Sequence, residues 1–248
     1  MNKFVKAACL ILAICTLTVF FAACSEDEAI PAGKAYFDYK NADTGYGSTI
    51  DSAKVTLAVD SMKAEDFVAS EEESDYVLIK VKDYGDIVIL LRSDVAPGTV
   101  ENFKKLVKEG FYSGTIFHRV IDNFMIQGGG LIVEDNPDGE GTILNIKETD
   151  TIMGEFAANG FVNKLQHVRG VISMARSSQY NSASSQFFIV HNTESCTHLN
   201  GSYAAFGYVL AGMDVVDKIA ACEYFMEEGG SMPLYDIFIE SATFVEPK

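Results

Sequence analysis

Polarity changes character twice along this 248-residue chain. Lys3 and Lys6 head a charge-free run from Ala7 to Phe21, a mixed polar stretch continues to residue 73, and from Tyr76 short apolar runs crowd together. Tyr76–Val81 and Asp86–Leu91 are rich in Val, Ile and Leu, and Lys82-Asp83-Tyr84-Gly85 joins them. That is a hairpin pattern in which Gly85 is available for a positive φ. Pro97-Gly98-Thr99 opens a helix with Val100, Phe103, Leu106 and Val107 on one face, and Gly110 stops it. Further strands are expected at Thr115–Ile121, Phe124–Gln127, Val171–Ala175, Gln186–Val190, Ala204–Val209 and Leu234–Phe244. A second helix at Asp214–Cys222 turns Val215, Val216 and Ile219 inward. No internal repeat appears. Roughly eight strands with two isolated helices argue for a mainly β domain, a closed antiparallel barrel whose ends the helices cover. Periodicity alone leaves barrel and sandwich undecided.

The first 23 residues read as an export signal: a basic head, an apolar middle, then small Ala22 and Ala23 before Cys24. A membrane-spanning anchor is the competing reading, but the apolar run falls short of the roughly 20 residues a spanning helix needs. Phe21-Ala22-Ala23-Cys24 resembles the lipobox of bacterial lipoproteins, with Phe21 where Leu is usual. On that resemblance Cys24 is acylated and becomes the mature first residue, anchored to the outer membrane and facing either the periplasm or the medium. Ser25-Glu26-Asp27-Glu28 follows directly. It reads equally as a solvated leader or as the acidic tract that sends some lipoproteins to the cell surface. The expected division is 1–23 signal, 24–73 acidic tether and 74–246 folded domain, with Ser70-Glu71-Glu72-Glu73-Ser74 as the break. The tether carries aromatic clusters at Tyr36–Tyr39 and a weak alternation over Lys54–Val59.

Charge narrows the function classes. Loss of Lys3 and Lys6 with the signal leaves 17 basic against 35 acidic side chains, a net charge of −18. Such a surface repels nucleic acid and anionic membranes, so any membrane attachment runs through lipid. Of five cysteines, only Cys196 and Cys222 lie beyond the lipidation site. In a disulfide-permissive compartment a bridge and two free thiols both stay open. No metal is expected: Cys-His spacing is absent, and neither His167 nor His191 has ligand-spaced neighbours. Gly128-Gly129-Gly130 is not a phosphate loop, since no Lys-Ser/Thr pair follows. Ser184 and Ser185 lack the glycines of a nucleophile elbow.

Candidate chemistry concentrates in two strings, Phe117 to Gly129 (FHRVIDNFMIQGG) and Ser173 to Val190 (SMARSSQYNSASSQFFIV). Arg119 stands beside Phe124, Met125 and Gln127, and Gln186 beside Phe188. A guanidinium amid aromatic and thioether surface suits a ligand with an apolar ring at one end and a carbonyl at the other, as in an acyl-proline unit. Both strings resemble the signature of the cyclophilin family of peptidyl-prolyl isomerases, and the resemblance covers about residues 74–246. It selects the eight-stranded barrel with two capping helices. It implies rotation about X-Pro bonds in exported polypeptides, with no cofactor, by a monomer.

By the same resemblance Arg119, Gln127 and Phe124 are catalytic, with Gln127 and Gln186 holding the arginine and binding substrate backbone. Phe124, Met125, Phe188 and Leu199 would form the proline pocket, Ala175 and Arg176 would line the neighbouring subsite, and His118 would reach the peptide. Thr197–Tyr203 matches the loop that closes the pocket. His198 stands where many relatives carry Trp, and Tyr203 where many carry His. Gly130 replaces a frequent acid, and Val133–Asp150 is an unassigned acidic insertion. The alternative is a non-catalytic module that holds proline-containing segments as an envelope chaperone.

Overall fold

The computed structural model describes residues 62–136, 142–147, 149–227 and 230–248. The expected signal, Cys24 and most of the tether lie outside the described residues. Among the described residues twelve strands form: β1 (Phe67–Ala69), β2 (Tyr76–Val81), β3 (Gly85–Leu91), β4 (Thr115–Ile121), β5 (Met125–Asp135), β6 (Thr142–Ile146), β7 (Val171–Met174), β8 (Phe187–Val190), β9 (Ala205–Ala211), β10 (Tyr224–Glu227), β11 (Gly230–Pro233) and β12 (Ile237–Pro247). Helices are α1 (Pro97–Lys108), the single turn α2 (Thr193–Cys196) and α3 (Met213–Ala220).

Eight strands follow one another in the order β12-β2-β3-β9-β7-β8-β5-β4, all antiparallel. A short ladder, Ile237 opposite Phe117 and Phe238 opposite Ile116, returns β4 to β12 and makes the sheet a ring. All eight of these strands were legible in the sequence, as were α1 and α3. Val77, Ile79 and Val81 of β2 and Ile87, Ile89 and Leu91 of β3 fill the interior. Their alternates Leu78, Val88 and Leu90 are apolar too, and the reason lies outside the ring. Phe67 on β1 joins Val88, Leu210, Ala211 and Val245 in a second cluster, with Met62, Ala64 and Tyr76 against it. β1 pairs with the end of β12, Phe67 opposite Pro247. Two-sided burial thus explains why these strands read as continuous apolar runs rather than alternating ones.

The ring is plugged by α1, whose buried Val100, Phe103, Leu106 and Val107 form the face expected from their spacing. Phe103 packs against Tyr112, Phe187 and Phe206 at centroid separations of 5.0–5.8 Å. At the other helix, α3 turns Val215, Val216 and Ile219 into the core. Gly212 precedes it at φ 94°, and a Cβ there would stand 2.2 Å from the Asp86 carbonyl, so no other residue fits. The β2–β3 turn places Asp83 at φ 64° and Gly85 at φ 128°. The insertion after Val133 is not shapeless: β5 runs on to Asp135, and β6 pairs back along it. The β10–β11 hairpin also escaped sequence reading. It is anchored by the Ser231 hydroxyl on the Val120 carbonyl.

Candidate active site

The hairpin of β4 and β5 builds the centre. Its turn places Asn123 at φ 57°, a conformation Asn tolerates because its side chain bonds locally, here to Asp122 Oδ2 at 2.9 Å. A register shift between Phe117 and Arg119 re-aims the strand, and Arg119 then stands opposite Gln127. Gln127 in turn faces Phe188 on β8, and Phe188 faces Ser173 on β7. One row across four strands therefore reads Arg119, Gln127, Phe188, Ser173. Cross-strand neighbours of this kind sit close enough to interact directly.

The polar contacts follow that row. Arg119 Nη1 donates to Gln127 Oε1 at 3.4 Å and approaches Met125 Sδ at 3.8 Å. The contact to Gln127 is longer than an ordinary 2.9 Å N–H···O bond, so little is lost when a ligand replaces it. Gln127 Nε2 donates to Gln186 Oε1 at 3.0 Å and lies 3.4 Å from His118 Nε2. Burial pushes His118 down to about 4, with the Arg119 charge acting the same way, so its ring is neutral at pH 7. Gly130, at φ 119°, lets Gln186 sit there: a Cβ would lie 2.7 Å from Gln186 Cγ.

Apolar walls surround this polar strip. Met125, Phe188 and Leu199 are buried, and Phe124 is half-buried. His198 is exposed and stacks on Phe124 at 5.7 Å and 19°, so the expected lid position is occupied by a ring. Tyr203 sets its edge against Phe188 at 5.8 Å. Ala175 contributes backbone, its N–H bonding the Gln186 carbonyl at 2.9 Å. Arg176 is half-buried with its guanidinium 4.6 Å from the Tyr203 ring centre. Hydrogen bonds, strand pairing and ring contacts thus join Arg119, Met125, Gln127, His118, Gln186, Phe188, Tyr203 and Arg176, while Phe124 and His198 stack as a separate pair and Leu199 lies in the same core.

Two things were not foreseen. His167 is 1% exposed, stacks on Phe188 at 5.8 Å and 15°, and bonds Ser173 Oγ and Asn200 Oδ1, each at 3.0 Å. Burial pushes it down to about 4 despite the Asn200 bond. The only hint in sequence was a His flanked by apolar Leu165 and Val168. Second, His191 does have carboxylate neighbours, Asp217 at 3.2 Å and Asp122 at 3.6 Å. They come from distant elements, which spacing along the chain cannot reveal. A polar cleft of about 440 Å³ lined by Asn123, Arg169 and His191 lies there and contains none of the expected site residues. Of the two readings open for Cys196 and Cys222, a bridge or two free thiols, the structure has two free thiols. Cys196 is buried, approaches the Phe124 carbonyl at 3.3 Å, and is pushed up to about 12 by desolvation, so it is inert.

Comparison with known proteins assigns the family. The family model for cyclophilin type peptidyl-prolyl cis-trans isomerases matches residues 76–244. A peptidyl-prolyl cis-trans isomerase of Acinetobacter baylyi is 47% identical over 139 residues, covering 55% of this chain and 67% of that protein. Peptidyl-prolyl cis-trans isomerase B of Escherichia coli is 40% identical over 174 residues, covering 66% of this chain and 96% of its own. A Cryptosporidium parvum cyclophilin type isomerase, crystallised in the presence of the dipeptide Ala-Pro, superposes with a TM-score of 0.53 at 28% identity. It covers 68% of this chain and 97% of its own. A family match spanning more than half of the chain, on a ring of eight strands, leaves one assignment: the chain belongs to the cyclophilin-type peptidyl-prolyl cis-trans isomerases.

Proposed function

We propose that this isomerase works in the bacterial cell envelope, held by lipid on Cys24, and rotates X-Pro bonds in exported polypeptides through Arg119. One observation carries the catalytic reading: a guanidinium, two glutamines and a buried aromatic wall converge through Arg119, Gln127, Gln186 and Phe188.

Rotation about an X-Pro bond faces about 18–20 kcal/mol because the nitrogen lone pair is delocalised into the carbonyl. Uncatalysed exchange takes tens to hundreds of seconds. Reaching milliseconds requires about 5–7 kcal/mol of barrier reduction. No bond breaks, so no nucleophile or cofactor is called for. The Arg119 fork donates to the twisted amide, and its contact with the proline nitrogen strengthens only as conjugation is lost. Gln127 orients that fork while Gln186 holds the substrate backbone. Met125, Phe188 and Leu199 grip the proline ring, which fixes one side of the rotating bond. Neutral His118 adds no competing charge beside the guanidinium.

A protease-coupled assay on a proline tetrapeptide tests this. Arg119→Ala should lower kcat/KM by about 10²–10³-fold, or about 3–4 kcal/mol. Unchanged turnover overturns the mechanism, and lost turnover with intact capture of proline peptides separates catalysis from simple holding. Cys24→Ser should release the protein from membranes, because acyl chains are the anchor. Persistence in the membrane fraction refutes the lipid reading, and protease shaving of whole cells reports which side the domain faces.

A further inference from the structure

We infer that Arg176 is a positioning residue that sets the shape of the proline pocket through Tyr203, by clamping the closing loop to two neighbouring loops. The inference rests on the isomerase reading of the Arg119 site and adds a residue that acts on the pocket without touching the reacting amide.

Arg176 lies two residues beyond the end of β7 and reaches the backbone of the closing loop. Its Nε and Nη2 both donate to the Ser202 carbonyl, at 3.0 and 2.8 Å. Its Nη1 donates to the carbonyls of Ser177 at 2.8 Å and Ser178 at 3.4 Å. Four of its five N–H groups are therefore spent on backbone, and the fork is directed at loops rather than at the groove. Three rings surround the same cation: Tyr203 at 4.6 Å, Phe156 at 5.0 Å and Tyr180 at 5.2 Å. Phe156 and Tyr180 brace each other edge to face at 5.4 Å, and Phe156 is 1% exposed. The cage is built deeply enough that Gly154 beside it admits no side chain, a Cβ there lying 2.3 Å from the Phe156 ring.

The path to the pocket is one contact long. Tyr203, pinned by the cation on its face and by Ser202 next to it in the chain, sets its edge on Phe188 at 5.8 Å and 84°. His167 stacks on Phe188 and meets the Tyr203 edge at 6.5 Å. Phe188 is thus wedged between two rings whose positions are set from behind. Lysine in place of Arg176 keeps the charge but is a point donor, so it cannot hold Ser202 and the 177–178 carbonyls at once or lie flat against three rings.

The experiment compares wild type, Arg176→Lys, Tyr203→Leu and the double variant. Measurements are kcat, KM, and amide hydrogen exchange across 197–203. Arg176→Lys should raise KM about tenfold, the equivalent of a partly desolvated cation–π contact, and change kcat less than about threefold. Exchange at Ser202 and Tyr203 should quicken. In the Tyr203→Leu background the same substitution should change KM less than about twofold, because coupled positions are not additive. Additive KM effects, unchanged loop exchange, or a loss confined to kcat would each overturn the inference. Should Arg176→Lys not fold, Phe156→Leu removes one ring of the cage and leaves every Arg176 hydrogen bond. It must also raise KM, and an unchanged KM overturns the inference. If wild type shows no isomerase activity at all, the isomerase reading falls, and loop exchange with proline-peptide affinity decides the Arg176 role by itself.

Discussion

Glu155 offers the sharpest stability test. Helix α1 begins after Ala96, a residue with no side-chain acceptor, and no side chain caps it locally. Pro97 at the first helical position needs no N–H partner, but Gly98 and Thr99 do. Glu155, more than fifty residues away and fully buried, supplies both. Its Oε1 accepts from Gly98 N at 3.0 Å, and its Oε2 from Thr99 N at 2.7 Å and Thr99 Oγ1 at 2.6 Å. The carboxylate also faces the positive end of the helix dipole. Glu155→Gln keeps the shape but turns one acceptor into a donor aimed at another donor. One charge-assisted bond at about 1.5–3 kcal/mol and a dipole contribution near 1 kcal/mol are lost, about 2.5–4 kcal/mol together. For a domain of this size that lowers the melting midpoint by roughly 6–15 °C. Urea titration should show a lower midpoint with the same slope, since surface exposed on unfolding is unchanged. An unfolding free energy within about 1 kcal/mol of wild type would refute the claim that Glu155 caps α1 from a distance.

Two further outcomes follow from burial. Because His167 and His118 are held near 4 in the fold, the unfolded chain takes up protons first as pH drops below about 6.5. Stability is therefore full above pH 7 and declines toward pH 4, by about 3 kcal/mol for fully buried His167. Urea midpoints at pH 7.5 and 5 measure it, and His167→Gln should shrink the difference; an equal difference in the variant rules the assignment out. Deleting residues up to Asp75 removes β1 and uncovers Val88, Leu210 and Val245, costing up to about 9 kcal/mol at roughly 1.5–3 kcal/mol for each fully uncovered side chain. Unaltered stability and no added binding of a hydrophobic dye would show that the outer cluster contributes nothing.

Elements whose signal is local were legible, and those completed by a distant partner were not. The α1 face and the β2–β3 turn are written in consecutive residues, so spacing and Gly85 sufficed. β6 and the β10–β11 hairpin are short, and on β6 the apolar Leu144 and Ile146 fall on the exposed face at 39% and 53%, so apolar spacing does not betray the strand. β1 is three residues long and exists because β12 runs far enough to pair with it. The carboxylates around His191 come from the β4–β5 turn and α3, some 95 residues apart in sequence.

The site divides along the same line, for a chemical reason. Arg119, Gln127 and Phe188 must present particular functional groups, so residue type and order announce them. What holds them in place needs only shape and saturation of hydrogen bonds, which many residues can supply. His167 reads as an ordinary core histidine until its ring is found on Phe188, and Arg176 as a subsite charge until its fork is found on Ser202. Both stand one contact behind the groove, where preorganisation is set, since rotating an amide requires walls that stay put while the bond turns. The reactive group can be read from the chain. The rigidity that makes it effective appears only once distant segments are folded against it.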